Sequence, residues 1–257
     1  MKSTIKKLIK NLIPLNFDNY EMDLTHEFHI MQGNSKSFFR KDLKEMTFNE
    51  LCILFKTDKA TIYENLIYDA KNKRYSRSLI VGHNYAKYYS NESKHLIKNL
   101  IEIGSYKGAS SLVFAEYFNE SKVYCLDIDF KRNLAKHKNI KKILVDQSNP
   151  AQINDFINNN ELNNNIDLVS DDGAHQDKHI LVSFENIFPN LNKGRNYFIE
   201  DITQERTPEV FNIFIKKNTD KLKCKNLISE LRHFKSNVSI KTQSNANQCY
   251  MAIITKG

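Results

Sequence analysis

Apolar residues in the opening stretch MKSTIKKLIKNLIP fall at Ile5, Leu8, Ile9, Leu12 and Ile13, the i, i+3, i+4, i+7, i+8 spacing of one helix face. Lys6, Lys7 and Lys10 occupy the rest of the wheel, so the pattern predicts an amphipathic helix over residues 3–13, ended by Pro14. Such a helix can pack on the body of the protein, contact a second copy in a homo-oligomer, or make a peripheral membrane contact through residues 1–14. FNELCILF and TIYENLIYDA continue with helical periodicity and few turn residues, which predicts a helical N-terminal segment or lid over residues 1–95.

From about residue 98 the period changes. NLIEIG reads as a strand and GASSLVFAEYFN as a helix; KVYCLDID, KKILVD, IDLVSDD and NYFIEDI read as further strands. PAQINDFINNN and DKHILVSFENIFPNL supply helices between them, and NVSIKTQ and QCYMAIITK close the chain as two strand-like runs suited to an antiparallel pair. Strands alternating with helices predict an α/β domain over residues 96–257, built on a mostly parallel sheet with helices on both faces.

The chemistry gathers at the strand ends. EIGSYKG sets Glu102, Gly104 and Gly108 just past the first strand, where glycine lets a ligand approach the backbone and the next helix offers free amides. The spacing is G-x-x-x-G rather than G-x-G-x-x-G, which argues against a pyrophosphate cradle and a nicotinamide oxidoreductase. The second strand ends in Asp127, placed to accept the two hydroxyls of a ribose, with Asp129 a weaker candidate. A third strand end carries DDGAHQDKH, residues 171–179, with two acids and two histidines in nine positions.

Composition narrows the partners. The formal net charge is +8, but the lysines are dispersed and form no nucleic-acid motif, which leaves mild steering towards phosphate-bearing or otherwise anionic small molecules, not nucleic acid. The four cysteines, Cys52, Cys125, Cys224 and Cys249, lack metal or disulfide spacing and suit a reducing compartment. No run approaches the roughly 20 apolar residues of a membrane span. Lys10 interrupts the only apolar region that could serve as a secretory signal, so the expected location is cytoplasmic, at the inner membrane face if residues 1–14 bind lipid.

LIEIGSYKG, VYCLDID, VDQSNP, DDGAHQDKHILVSFENIFPNLNKG and YFIEDI together resemble the class I S-adenosylmethionine-dependent methyltransferases. More narrowly, they are similar to the metal-dependent O-methyltransferases of macrolide sugars and cell-surface glycans, the mycinamicin methyltransferase type. The resemblance covers residues 98–202, with an echo upstream in FKTDKA and HNYAKYY. Departures are a long insert between those two elements and Ala174 where serine is usual. The resemblance implies a Rossmann-like seven-stranded sheet and S-adenosylmethionine as cofactor. By the same resemblance, Glu102, Gly104 and Gly108 flank the methionine moiety with Ser110 a weaker contact, Asp127 holds the ribose, Asp146 and Gln147 lie near the adenine, and Asp171 lies near the sulfonium.

In that fold IDLVSDD and NYFIED are neighbouring parallel strands ending on one rim, so Asp172 is expected to meet Glu200 and Asp201. Three carboxylates repel unless a cation joins them, and oxygen donors favour Mg²⁺ or Mn²⁺. Because consecutive strand residues face opposite ways, both Glu200 and Asp201 reach one ion only if the strand has already turned. His175, three residues past Asp172, is of the residue type that titrates near neutral pH and is the expected base, a role the resemblance also gives it. Asp177 suits the helix N-cap, Gly173 the tight turn, and His179 a structural hydrogen bond. Two readings stand for Thr57, Asp58, Lys59, His83 and Tyr85: a lid over the site, or a connection between helices.

The expected activity is transfer of methyl to a sugar hydroxyl or to an activated, nucleotide- or phosphate-bearing precursor in capsule or cell-surface glycan biosynthesis. The alternatives are an O-methyltransferase of a small macrolide-like natural product and a non-catalytic S-adenosylmethionine-binding subunit.

Overall fold

The computed structural model describes residues 42–69, 74–203, 232–235 and 248–257; the expected helix over residues 3–13, Cys224 and NVSIKTQ lie outside them. A 3-10 turn at Leu43–Glu45 leads into α1 (Phe48–Phe55). A capping box starts α1: the Glu50 N–H donates to Thr47 Oγ1 at 3.2 Å and the Thr47 N–H to Glu50 Oε2 at 2.8 Å. Lys56, left-handed at φ 59°, ends it.

The next run corrects an expectation. TIYENLIYDA is not helical: Ile62–Asp69 form β1, paired antiparallel with β2 (Arg74–Val81) in a register from Ile62↔Val81 to Asp69↔Arg74. Both runs carry Ile and Tyr, residues that suit strands, and the partner that decides between periods lies beyond a local window. A short helix, α2 (Ala86–Tyr89), and a 3-10 turn at Lys94–Leu96 follow.

The α/β region runs β3 (Asn99–Ile103), α3 (Ala109–Tyr117), β4 (Lys122–Asp127), β5 (Ile140–Leu144), α4 (Pro150–Asn159), β6 (Ile166–Asp171), α5 (Asp177–Ile187), β7 (Leu191–Thr203), β8 (Arg232–Lys235) and β9 (Gln248–Thr255). These strands form one seven-stranded sheet in the order β5-β4-β3-β6-β7-β9-β8. β9 runs antiparallel to both β7 and β8, while the pairs from β5 to β7 are parallel, so only β9 opposes the other six. QCYMAIITK is a strand as expected, antiparallel to β7 and to Arg232–Lys235 among the described residues, while its expected partner NVSIKTQ lies outside them.

Alternation along the strands divides the core in two. Leu100, Leu168 and Phe198 pack with Phe48, Tyr89 and Phe114, so α1 and α2 share one core with α3. Ile101, Ile103, Val169 and Tyr197 pack with Ile153 and Phe156 of α4 and Phe184 of α5 on the opposite face. No helix joins β4 to β5, which leaves β5 as a thinly covered edge with Lys141 and Lys142 exposed, a charge arrangement that discourages strand addition. The N-cap of α5 lies one residue before the anticipated one: Gln176 is the N-cap and Asp177 sits in the first turn, where its charge suits the amide end of the helix.

Candidate functional site

β3, β4, β6 and β7 are parallel, so their carboxyl ends share a rim, and the predicted site residues gather there. Gly104 and Gly108 follow β3 at φ 80° and 85°. A Cβ at Gly104 would lie 2.1 Å from the Asp172 carbonyl oxygen, and one at Gly108 would lie 2.5 Å from the Ala135 Cβ. Both glycines thus serve the approach of protein to protein, and Gly104 lets the β3 turn close against the Asp172–Gly173 backbone.

Glu102 is wholly buried on β3. Its Oε2 accepts from the Ser111 hydroxyl, while Oε1 has no hydrogen-bond partner among the described residues. Burial raises its pKa, against the opposing effects of Lys59 and the Ser110 and Ser111 hydroxyls. Asp127 closes β4, with Oδ2 accepting from the Tyr106 N–H at 2.8 Å and Oδ1 from the Asp129 N–H at 3.2 Å. Asp146 is exposed and accepts from the Ser148 N–H and hydroxyl, which hold its carboxyl below the ordinary value.

Asp171 and Gln147 meet, though not as free contacts for a ligand. Gln147 Nε2 donates to Asp171 Oδ1 at 2.6 Å and to Ser183 Oγ at 3.2 Å, and its Oε1 accepts from the Ala174 N–H at 2.9 Å. Asp171 Oδ2 accepts from Ser183 Oγ at 2.6 Å and Tyr197 OH at 3.0 Å. The side chain is turned into the α5 face of the sheet, where it braces the 171–175 turn. Burial pushes its pKa up to about 6 against those hydrogen bonds. A carboxyl whose folded pKa exceeds its unfolded value binds more protons when folded, so stability falls as pH rises from about 4 to about 6. Each tenfold change in proton affinity contributes about 1.4 kcal/mol. Asp171→Asn should flatten that part of the stability curve; urea unfolding from pH 4 to 7 measures it, and an unchanged slope would show that Asp171 is not its source.

The expected three-carboxylate cluster is rearranged. Lys59, fully buried after α1, donates to Asp172 Oδ2 at 2.7 Å and Glu200 Oε2 at 2.6 Å. Burial opposes the ammonium, but Asp172 and then Glu200 more than compensate and raise its pKa well above the ordinary value. Glu200 Oε1 accepts from the Tyr89 and Ser170 hydroxyls, so both of its oxygens are occupied inside the protein. Asp201 is left-handed at φ 54°, and the β7–β9 register shifts between Ile199 and Ile202. That irregularity re-aims consecutive side chains: Glu200 enters the core while Asp201 returns to the rim. Glu200 is thus bonded to Lys59, Tyr89 and Ser170 rather than facing Asp172 and Asp201 directly, and the donors that converge within 4.8 Å are Asp172, His175 and Asp201.

A second convergent set, Asp58, His83 and Asp201, shares the last residue. His83 Nδ1 lies 3.1 Å from Asp201 Oδ1, which also accepts from Tyr85 OH at 2.8 Å. Burial raises the Asp201 pKa, but His83 and Tyr85 outweigh it and hold the carboxyl at about 2. His175, at φ 51°, places Nε2 3.8 Å from Asp172 Oδ1 and is partly exposed. The upstream segment therefore belongs to the site. Its sequence signal was FKTDKA and HNYAKYY, the second ending in Tyr89; Ser170 carried none.

Comparisons with known proteins bear on the domain and its fold. Residues 101–202 match the family model described as a methyltransferase domain. The 8-demethyl-8-alpha-L-rhamnosyl tetracenomycin-C 2'-O-methyltransferase of Streptomyces olivaceus is 33% identical over 103 residues, 39% of this chain and 26% of the relative. The mycinamicin VI 2''-O-methyltransferase of Micromonospora griseorubida is 32% identical over 119 residues, 44% of this chain and 28% of the relative. The match thus spans little more than a quarter of either relative's length. The solved structure of the MycE methyltransferase from the mycinamycin pathway, in complex with Mg and SAH, superposes with a TM-score of 0.56 at 18% identity, over 82% of this chain and 55% of that one. Among the described residues no helix is long and apolar enough to cross a membrane. Residues 101–202 match the model of a methyltransferase domain and are similar in sequence to part of these O-methyltransferases, and the chain shares its fold with the MycE methyltransferase.

Proposed function

We propose that this chain is an S-adenosylmethionine-dependent O-methyltransferase acting on a sugar hydroxyl, carried by a nucleotide- or phosphate-bearing precursor of a cell-surface glycan. The observation that carries the reading is the convergence of Asp172, His175 and Asp201 on the rim beside the β3 and β4 ends. The cofactor fits residues already there. Glu102 has an unpartnered buried oxygen suited to the methionine ammonium, and Asp127 retains acceptor capacity for ribose hydroxyls beyond its two backbone donors. A divalent cation also fits the carboxylate oxygens of Asp172 and Asp201 beside His175.

S-adenosylmethionine, when bound, supplies an electrophilic methyl group, and a divalent cation, when bound, acidifies a hydroxyl beside it. His175 takes the acceptor's hydroxyl proton as the oxygen bonds to the methyl carbon; the carbon–sulfur bond breaks and its electron pair stays on sulfur. Asp172, held by Lys59, orients His175 from 3.8 Å. Gln147 and Asp171 keep the turn that carries His175 in place. The sugar acceptor is supported by the relatives' activities on glycosylated antibiotics, and the phosphate-bearing precursor by the chain's net charge of +8.

The test is S-adenosylhomocysteine release with two panels, nucleotide sugars and glycosylated macrolides, run beside thermal shift with S-adenosylmethionine. Release with nucleotide sugars is the expected result. Release with the macrolides alone would move the acceptor to natural products. Cofactor binding with no release in either panel would leave a non-catalytic subunit, and no binding would overturn the reading at its root.

A further inference from the structure

We infer that the open groove beside β5 binds a phosphate-bearing saccharide chain, apart from the reaction centre. The O-methyltransferase reading supplies only the saccharide; the groove and its charge rest on geometry. β4 and β5 are parallel neighbours, and a crossover between such strands usually carries a helix. Residues 128–139 make this crossing without one, and a groove of about 570 Å³ opens beside the edge strand. Lys136, His137, Lys138 and Lys142 line it, together with Ala135 and Ile140, which pack on the core shared with α3. β4 and β3 stand between β5 and β6, so the groove is separate from the rim at Asp172 and His175.

Hydrogen bonds fix the walls of the groove. Asn133 is buried and anchors the crossing: its Nδ2 donates to Ser105 Oγ at 3.0 Å, its Oδ1 accepts from the Ala135 N–H at 3.1 Å, and its carbonyl accepts from Lys142 Nζ at 2.7 Å. The Leu134 N–H donates to the Lys107 carbonyl at 3.2 Å, which ties the crossing to the turn after β3. His137 Nδ1 accepts from the Asn139 N–H at 3.1 Å, so the ring is oriented by its own backbone.

Charge specifies the ligand. One window departs from the dispersed lysines of the rest of the chain: residues 130–142 hold Lys131, Arg132, Lys136, Lys138, Lys141 and Lys142 and no acid, in a chain of net charge +8. Lys131 turns to Asp129 at 3.8 Å and Lys141 to Asn160 at 2.6 Å. Lys136 and Lys138 are exposed and form no ion pair among the described residues. The acid beside the groove, Glu116, lies 3.7 Å from His137 Nε2. Burial, with Lys136 nearby, holds the Lys142 ammonium below its ordinary value, and burial with Lys138 does the same to the His137 imidazole. Cations crowded together with too few anions are disposed to take one from a ligand, and lysine suits phosphate as a point charge. Shape and lining favour a flexible polyanion over two rivals. A flat bilayer does not fill a groove, and no Phe, Tyr or Trp lines this one to stack the bases of single-stranded nucleic acid.

Binding of fluorescent dextran phosphate to the full chain, at about 0.15 M salt so that weak exposed charges are screened, tests this without turnover. Saturable binding is expected, with none to unmodified dextran. Lys136→Gln combined with Lys138→Gln should weaken it by roughly tenfold or more, since each lost charge pair contributes about 1 kcal/mol in water. Lys44→Gln combined with Lys193→Gln removes the same net charge from exposed positions elsewhere and should stay within about threefold of the unaltered protein. Equal weakening by both pairs would reduce the effect to net charge, and absence of saturable binding would remove the site. Tighter binding to poly(U) or to phosphatidylglycerol vesicles than to dextran phosphate would make the groove a nucleic-acid or membrane surface. Each of these three results overturns the inference. S-adenosylhomocysteine thermal shift on the same samples shows that the variants are folded and separates the two claims. A shift without dextran phosphate binding sinks only the groove, and binding without a shift sinks only the methyltransferase reading.

Discussion

Lys59→Met is expected to cost about 3–5 kcal/mol of folding stability, the loss typical when one partner of a buried ion pair is removed and a charge is stranded. Lys59 is inaccessible and bridges Asp172, just past the end of β6, and Glu200 of β7, 28 residues apart in sequence. Methionine fills similar volume, so the loss reports charge rather than a cavity. The sign with pH follows from linkage. Without the ammonium, the buried carboxylates bind protons more tightly when folded, so the deficit should shrink as pH falls. Adding Asp172→Asn and Glu200→Gln to Lys59→Met should recover much of the loss, since neutral replacements of a buried ion pair are often tolerated. Urea unfolding at pH 5 and pH 8 reads both effects, and a loss below about 1 kcal/mol at pH 8 would mean that the bridge is weak, as exposed pairs are.

His175→Ala is expected to lower kcat by roughly 10²–10⁴-fold, the usual contribution of a positioned base, with S-adenosylhomocysteine affinity almost unchanged. The side chain is partly exposed and meets Asp172 at 3.8 Å, whereas the residues that fit the cofactor, Glu102 and Asp127, lie on other strands. In the variant the acceptor must lose its proton to solvent, so the remaining rate should climb with pH more steeply than in the unaltered enzyme. An equal loss of cofactor affinity would instead show that His175 supports the site's structure, and unchanged kcat would remove it as base.

The α/β region was legible because its periodicity is local. In IDLVSDD and NYFIEDI the apolar runs and the polar residues closing them both fall within a few positions, so strand, rim and acidic end could be read together. The hairpin of β1 and β2 was not legible, because Ile62–Asp69 fits a helical spacing as well as a strand until Arg74–Val81 is laid beside it. Asp171 and Gln147 were legible only in part: their places at the end of β6 and after β5 could be read, but not the hydrogen bonds that join their side chains to each other and to Ser183.

By itself, the chain's order of residues determined the parallel α/β sheet and the rim on which its acids gather. Those features depend on spacing within single elements. Tertiary structure alone decided which acids act together. Lys59 crosses from the N-terminal segment to neutralise Asp172 and Glu200, and an irregularity in β7 sends Glu200 inward and Asp201 back to the rim. His83 reaches Asp201 across 118 positions of sequence. Such pairings depend on where a backbone turns and on which charge is left without a counterion, and neither is encoded in the spacing of one segment.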